Sequence, residues 1–217
     1  MPGVVVRPFR AMPPTRDDVD AYRGVINDIG TRLRLVRDLL RRPIDIAHQE
    51  WVAVELRIVL ELIIMGSLVT NREAISKVSS VLKIKGVAEA QKIVEQVNPE
   101  YWPTPMAGSQ RPDGTLVGEP FVAAEFLRKS EWGREYGFLS ELVHAWSPYD
   151  PPRDEAADVA RLQSLCERVE VLLRQHLITL AGYRDAYLGQ LDLEKGEALV
   201  ASLKRPPGWV APDTATS

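Results

Sequence analysis

Asp45 to Thr70 reads DIAHQEWVAVELRIVLELIIMGSLVT, and its apolar side chains cover nearly the whole circumference of a helix. Trp51, Val52, Val54, Leu56, Ile58, Val59, Leu60, Leu62, Ile63, Ile64 and Met65 leave no broad polar face, so the segment predicts a central helix surrounded by other elements. Arg57 and Glu61 stand one turn apart inside it. Removing one partner of a buried ion pair costs about 3 to 5 kcal/mol, so this pair must be satisfied. It reads either as an internal structural pair or as one wall of a binding site. The apolar run Ile58 to Leu68 is interrupted by Glu61 and is too short and too charged to span a bilayer, which sets aside a membrane partner.

Upstream, Thr15 is a candidate N-cap with Asp17 and Asp18 in the first turn, where carboxylates oppose the positive end of the helix dipole. Val19, Tyr22, Ile26, Ile29, Leu33, Val36 and Leu40 recur at three and four residues, predicting a helix to about Arg41 that stops before Pro43. Residues 1–14, with Pro2, Pro8, Pro13 and Pro14, read as an irregular arm in which Val4 to Val6 is a candidate short strand. Downstream, Asn71 caps a helix over about 72–82, and Gly86 precedes another over about 87–97, ended by Asn98 and Pro99. The proline-rich stretch 99–120 reads as a loop with a hairpin around Asp113 and Gly114, its first part packed down through Tyr101 and Trp102. Phe121 to Leu127 reads as strand or helix, and Glu131 to His144 as helix. Asp154 to Tyr183 predicts one long amphipathic helix with Val159, Leu162, Leu165, Cys166, Val169, Leu172, Leu173 and His176 inward. Tyr187 to Leu203, with Gly196 at the turn, predicts a small β-hairpin, and the chain from Pro206 a loose tail. The expected architecture is all-α: a bundle of about five to six helices with a small C-terminal β-hairpin, one domain over 15–205.

At 217 residues the chain lies within the span of one domain, and 45% apolar with 26% charged residues fits a globular protein with its own core. Cys166 stands alone and reads as a core residue; with no charged-then-apolar leader over Met1 to Pro14, the cytoplasm is the expected compartment. A net charge of −3 gives no overall attraction to nucleic acid. Arg32, Arg34, Arg37, Arg41 and Arg42, opposed only by Asp38, form a local strip. It reads as a solvated helix face or, in the functional alternative, as phosphate contacts through Arg34, Arg37 and Arg41. No phosphate loop, dinucleotide fingerprint, zinc helix or nucleophile elbow is present. His48, His144 and His176 lie far apart in sequence, so neither a metal nor a cofactor is expected.

The most site-like segment is Glu131 to His144. Phe138, Leu139, Leu142 and Val143 form a buried stripe, while Tyr136, Ser140, Glu141 and His144 collect on the opposite side. Among them only histidine has an ordinary pKa near neutrality, so His144 is the first candidate for acid/base work, with Tyr136 and Glu141 beside it. Arg134 or Arg57 would supply a cation. The structural alternative for His144 is a helix C-terminal residue that complements the dipole.

Three stretches carry a resemblance: RIVLELIIMGSLV at 57–69, NPEYWPTP at 98–105 and YGFLSELVHAWSP at 136–148. Together they resemble a group of bacterial helical proteins and, through it, the HEPN superfamily, over roughly residues 15–203. The resemblance implies a helical bundle that forms a homodimer, works in bacterial defence or toxin–antitoxin systems, and engages RNA or a protein partner. Active HEPN members are metal-independent ribonucleases with four to six residues between an arginine and a following histidine. His144 matches that histidine, but the preceding positions hold Gly137, Phe138 and Leu139, and Arg134 is too early. Without the arginine, the charge of a phosphorane-like transition state loses its main stabiliser. The resemblance therefore implies a binding or regulatory protein that does not cleave RNA; the alternatives are a ribonuclease using an arginine from elsewhere, and a nucleic-acid-binding module acting through the Arg32–Arg42 strip.

Overall fold

The computed structural model describes residues 16–43, 45–76, 86–110, 116–120, 125–144, 153–182 and 185–204. Six α-helices are present among them: α1 (Arg16–Leu40), α2 (Ile46–Thr70), α3 (Arg72–Ser76), α4 (Val87–Val97), α5 (Trp132–Val143) and α6 (Glu155–Arg174). Five strands accompany them: β1 (Thr104–Gln110), β2 (Leu116–Pro120), β3 (Gln175–Thr179), β4 (Asp185–Asp192) and β5 (Glu197–Lys204). The molecule is thus mostly helical with a small antiparallel sheet. The irregular arm 1–14 with its Val4 to Val6 strand, the Asp113–Gly114 turn, residues 77–82 of the expected third helix, and the tail 206–217 lie outside the described residues.

Local signals explain the starts of α2 and α6 and the end of α4. Asp45 caps α2 by accepting the backbone N–H of His48 at 2.8 Å, and Asp154 caps α6 by accepting that of Ala157 at 3.0 Å. Asn98 stops α4 ahead of Pro99. The inward residues of α1, including Tyr22, Ile26, Ile29, Leu33 and Val36, meet Val52, Leu56, Val59, Leu60 and Ile63 of α2 in one core, completed by Leu139 and Leu142 of α5 and Leu162, Leu165, Val169 and Leu172 of α6. Gly66 lets α1 and α2 approach, because a Cβ there would lie 2.9 Å from the Tyr22 ring. The enclosure of α2 is incomplete: Ile46, Trp51 and Val54, at its start, remain 58%, 49% and 39% exposed.

The β portion is larger than the expected hairpin. That hairpin is present as β4 and β5, in register from Asp185↔Lys204 to Asp192↔Glu197. Asp192 Oδ1 accepts the N–H groups of Glu194 and Lys195, both at 3.0 Å, and Gly196 closes the turn with φ +70°. Beside β4 lies β3, where the sequence reading placed the end of a helix. α6 stops at Arg174, and Gln175 is already extended at φ −149°, ψ 120°. His176 to Leu180 are all buried, and a continuous buried run shows neither the helical nor the strand period. β1 pairs with β3 through Thr104↔Leu177 and Pro105↔His176, and its outer part pairs with β2 from Met106↔Pro120 to Gln110↔Leu116. The order is β2-β1-β3-β4-β5. The antiparallel pairing of β1 with β2 agrees with the hairpin expected around Asp113 and Gly114, although its arms extend through a stretch that reads as loop, because Pro103 and Pro105 weaken the strand signal. Residues 125–128 are neither strand nor helix.

Candidate functional site

Helix α5 carries two polar clusters, one on each flank. On the flank facing α2, the Tyr136 hydroxyl donates to Glu61 Oε1 at 2.7 Å and accepts from Arg57 Nε at 3.1 Å. Arg57 and Glu61 also face each other at 3.4 Å, and the guanidinium lies 5.0 Å from the centroid of the Tyr136 ring. Trp132 stacks on that ring at 4.9 Å and 16°, its indole N–H bonded to Leu60 O at 3.1 Å. Three sequence candidates, Arg57, Glu61 and Tyr136, thus meet in one half-buried cluster. Burial and the bond to Glu61 push the Tyr136 hydroxyl above its ordinary pKa, with Arg57 acting against them. The phenol is therefore held protonated at neutral pH and cannot act as a base.

On the other flank sits Glu135, 1% exposed. Its Oε2 accepts from Arg161 Nε at 3.1 Å and Nη2 at 3.0 Å; its Oε1 accepts from Arg134 Nη2 and Arg168 Nη2, each at 2.9 Å. Burial raises the Glu135 pKa, and the bonds from Arg168, Arg134 and Arg161 more than reverse it, so the carboxyl lies below its ordinary range. Glu131 shares the cluster through Arg134 at 3.2 Å and Arg168 at 3.1 Å. Arg161 also covers the Phe138 ring, 3.8 Å from its centroid. Sequence reasoning missed Glu135, because a carboxylate on an amphipathic helix gives no sign of guanidiniums from α6, 26 and 33 residues on.

The four residues expected on one face of this segment do not converge. His144 is the exposed C-cap of α5, eight residues or about 12 Å along the axis from Tyr136. Glu141 is exposed, and the Ser140 hydroxyl is turned back onto Tyr136 O at 2.8 Å. Arg134 is engaged by Glu131 and Glu135, and Arg57 by Tyr136 and Glu61. The guanidinium that does reach this helix end is that of Arg153, whose Nη2 donates to Glu141 O at 2.7 Å and whose Nη1 donates to Leu142 O at 3.4 Å. Four of the five arginines of the strip are likewise engaged. Arg32 binds Asp28 and Glu55, Arg37 binds Glu170 and Glu194, Arg41 binds Asp38, and Arg34 rests against Thr31 and the Gly196 turn. Glu55, Glu170 and Glu194 come from other elements, which is why the strip looked unopposed in sequence.

The remaining buried polar groups are structural. His176, read as a helix residue, is a fully buried β3 residue: its Nε2 is 2.7 Å from the Tyr22 hydroxyl and its Nδ1 3.1 Å from Leu173 O. Because the carbonyl can only accept, Nδ1 carries the proton and Nε2 accepts from Tyr22. Burial pulls the His176 pKa down to about 4 and raises that of Tyr22, so the pair is neutral. Gly189 on β4 provides the space, since a Cβ there would run into the imidazole. Asn98 Nδ2 donates to Thr179 O at 2.9 Å and Asn71 Oδ1 at 3.2 Å, tying the ends of α2 and α4 to β3. Cys166 is buried with its thiol pKa raised by burial, the setting of an inert core cysteine.

His48 is bound to Asp45 at 2.7 Å, so the three histidines stay apart; among the described residues no group of three or more His, Cys, Asp and Glu side chains could hold a metal ion. No helix among them is long and apolar enough to cross a membrane. Comparison of the chain with models of known protein families, with curated proteins and with solved structures gave no match.

Proposed function

We propose that the chain is a HEPN-like helical protein that acts by binding or regulation, without catalysis, in a bacterial defence or toxin–antitoxin type of system. The observation that carries this reading is the commitment of the cations around α5. Arg57 and Arg134, the two arginines named for a phosphoryl-transfer site, are held by Glu61 with Tyr136 and by Glu131 with Glu135, and neither stands at His144. RNA or a protein is the expected partner. RNA lying along Arg34, Arg37 and Arg41 would compete with Glu170, Glu194 and Asp38 for the last two of these side chains. Incubation of the purified protein with structured RNA, beside His144→Ala, tests the reading: cleavage by the wild type that disappears in the variant would overturn it.

One observation favours a second reading, a ribonuclease with an arginine from elsewhere. Arg153 stands at the end of α5, bound to the carbonyls two and three residues ahead of His144. In that case Arg153→Ala abolishes cleavage together with His144→Ala, while Arg134→Ala retains it.

A further inference from the structure

Around Glu135 the hydrogen-bond donors outnumber the acceptors. The guanidiniums of Arg134, Arg161 and Arg168 gather on its carboxylate, and Glu131 joins them through Arg134 and Arg168. Three guanidiniums bring about fifteen N–H groups, while two carboxylates offer about eight acceptor sites. The cluster also carries one more positive charge than negative. The surplus can be followed atom by atom. Arg134 bonds both glutamates through Nη2 alone, which leaves its Nε and Nη1 without a partner among the described residues. Arg161 uses Nε and Nη2 on Glu135 and keeps Nη1. Arg168 binds through both Nη atoms, and its Nε is buried without a hydrogen-bond partner among the described residues.

The two outer members of the trio stand side by side and are held in place. Arg134 and Arg161 bond the two oxygens of one carboxylate, so their Nη2 atoms lie no more than about 8 Å apart. Their side chains are 64% and 39% exposed, which opens this side of the cluster to solvent. Arg161 is fixed by two bonds to Glu135 Oε2 and by the Phe138 ring, 3.8 Å away. An anion arriving here meets donors already ordered, which lowers the entropy cost of binding. A carboxylate, with two oxygens, engages one guanidinium fork; a tetrahedral oxyanion has oxygens for both.

We propose that the outer face of the Glu135 cluster is a phosphate-binding site, which takes inorganic phosphate or a small phosphate monoester between Arg134 and Arg161. Glu135, itself 1% exposed, positions the two guanidiniums from beneath. Two guanidiniums with spare donors fit one phosphate group, whereas a nucleic-acid backbone is held by several contacts in a row. Open to solvent and screened by salt, the site is weak, with a dissociation constant on the order of millimolar. The inference rests on the geometry of this cluster and not on the HEPN-like reading, so the loss of either leaves the other standing.

Calorimetric or phosphorus NMR titration of the full chain with inorganic phosphate from about 0.1 to 20 mM, at an ionic strength held constant with chloride, tests it. One phosphate per chain is expected, and acetate is expected to bind at least about tenfold more weakly. Phenyl phosphate separates the two sources: binding as tight as that of inorganic phosphate assigns the site to a monoester, and no binding assigns it to the free ion. Arg134→Gln and Arg161→Gln are each expected to weaken phosphate about tenfold, and Arg134→Lys, which keeps the charge without the fork, to recover part of the loss. Arg23→Gln on α1 is the control and is expected to bind like the wild type. Circular dichroism checks the fold of each variant, and the mostly exposed Arg134 carries the test if Arg161→Gln unfolds. No saturation below about 20 mM, equal binding by Arg134→Gln and the wild type, or acetate binding as tightly as phosphate each overturns the proposal. So does structured RNA that binds through Arg134 to a chain indifferent to phosphate, which would make the cluster a nucleic-acid contact.

Discussion

Glu135 and His176 are both titratable and both buried, and they reach that state by opposite means. Glu135 keeps its charge and is enclosed by the guanidiniums of Arg134, Arg161 and Arg168. His176 gives its charge up and exchanges neutral hydrogen bonds with Tyr22 and Leu173. The difference follows from what lies nearby. α5 faces the polar side of α6, which offers arginines, whereas β3 lies under α1 and β4, which offer a phenol and a glycine. A buried ionisable group is thus no sign of chemistry by itself; its partners decide whether it is charged.

The largest expected effect is at the charged site. Glu135→Ala leaves three guanidiniums facing a cavity, and removing one side of a buried ionic network costs about 3 to 5 kcal/mol. Urea unfolding at pH 7 measures it; a loss below about 1 kcal/mol would mean that the arginines simply turn to solvent and that the network adds little.

Acid separates the two sites. His176 has its folded pKa at about 4, below the ordinary 6.5, so its contribution is complete above 6.5 and drains away as the pH falls from 6.5 towards 4. That window is worth roughly 3 kcal/mol at 1.36 kcal/mol per pKa unit. Glu135 also has a lowered folded pKa, but from an ordinary 4.5, so its contribution holds above 4.5 and is lost only as the pH falls below it. Stability followed from pH 7 to pH 4.5 should therefore slope downward in the wild type and be flatter in His176→Gln. An unchanged slope in the variant would assign the acid sensitivity to other groups.

Smaller changes refine the neutral site. Gly189→Ala drives a methyl group into the imidazole, and overpacking of this kind costs about 1 to 3 kcal/mol. Tyr22→Phe leaves His176 Nε2 without its donor at a cost of about 1 to 2 kcal/mol and, by removing a bond that favours the neutral ring, raises the histidine pKa, which NMR titration of the ring would detect. The smallest effect belongs to Arg134→Ala, whose side chain is 64% exposed and whose two carboxylate partners keep Arg168. No resolvable shift of the denaturation midpoint is expected, and a large shift would make Arg134 an equal member of the Glu135 network.

The parts of this architecture that local chemistry determines were legible in the sequence. α1 ends ahead of Pro43, α2 runs between Asp45 and Asn71, α4 follows Gly86 and ends at Asn98, and the β4–β5 turn falls at Gly196. The failures have local causes. β3 is covered on both faces, so His176 to Leu180 show no period, and the full length of β1 is masked by prolines that ordinarily mark loops, although the hairpin it forms with β2 was legible around Asp113 and Gly114. Of the candidate site, the Arg57–Glu61 pair could be read from its one-turn spacing, but its third member, Tyr136, arrives from a helix 75 residues later. The expected gathering of Tyr136, Glu141 and His144 failed because eight residues of helix separate its two ends by more than any side chain can bridge. Three of the strip's carboxylate partners, Glu55, Glu170 and Glu194, lie on α2, α6 and the β4–β5 turn, invisible to a reading of α1 alone, which shows only Asp28 and Asp38.

The junction of α6 with β3 has one more consequence. Arg174 is the last residue of a helix and Gln175 the first of a strand, so no slack connects them. Each residue of α6 turns its apolar stripe by about 100°, and each residue of β3 swaps the two faces of the strand. Deleting or inserting a single residue anywhere between Leu162 and Thr179 would therefore force a choice between a misaimed helix and an inverted strand. The length of this passage is as fixed as its composition, and relatives of the chain should vary in length in the connections around it while keeping its residue count.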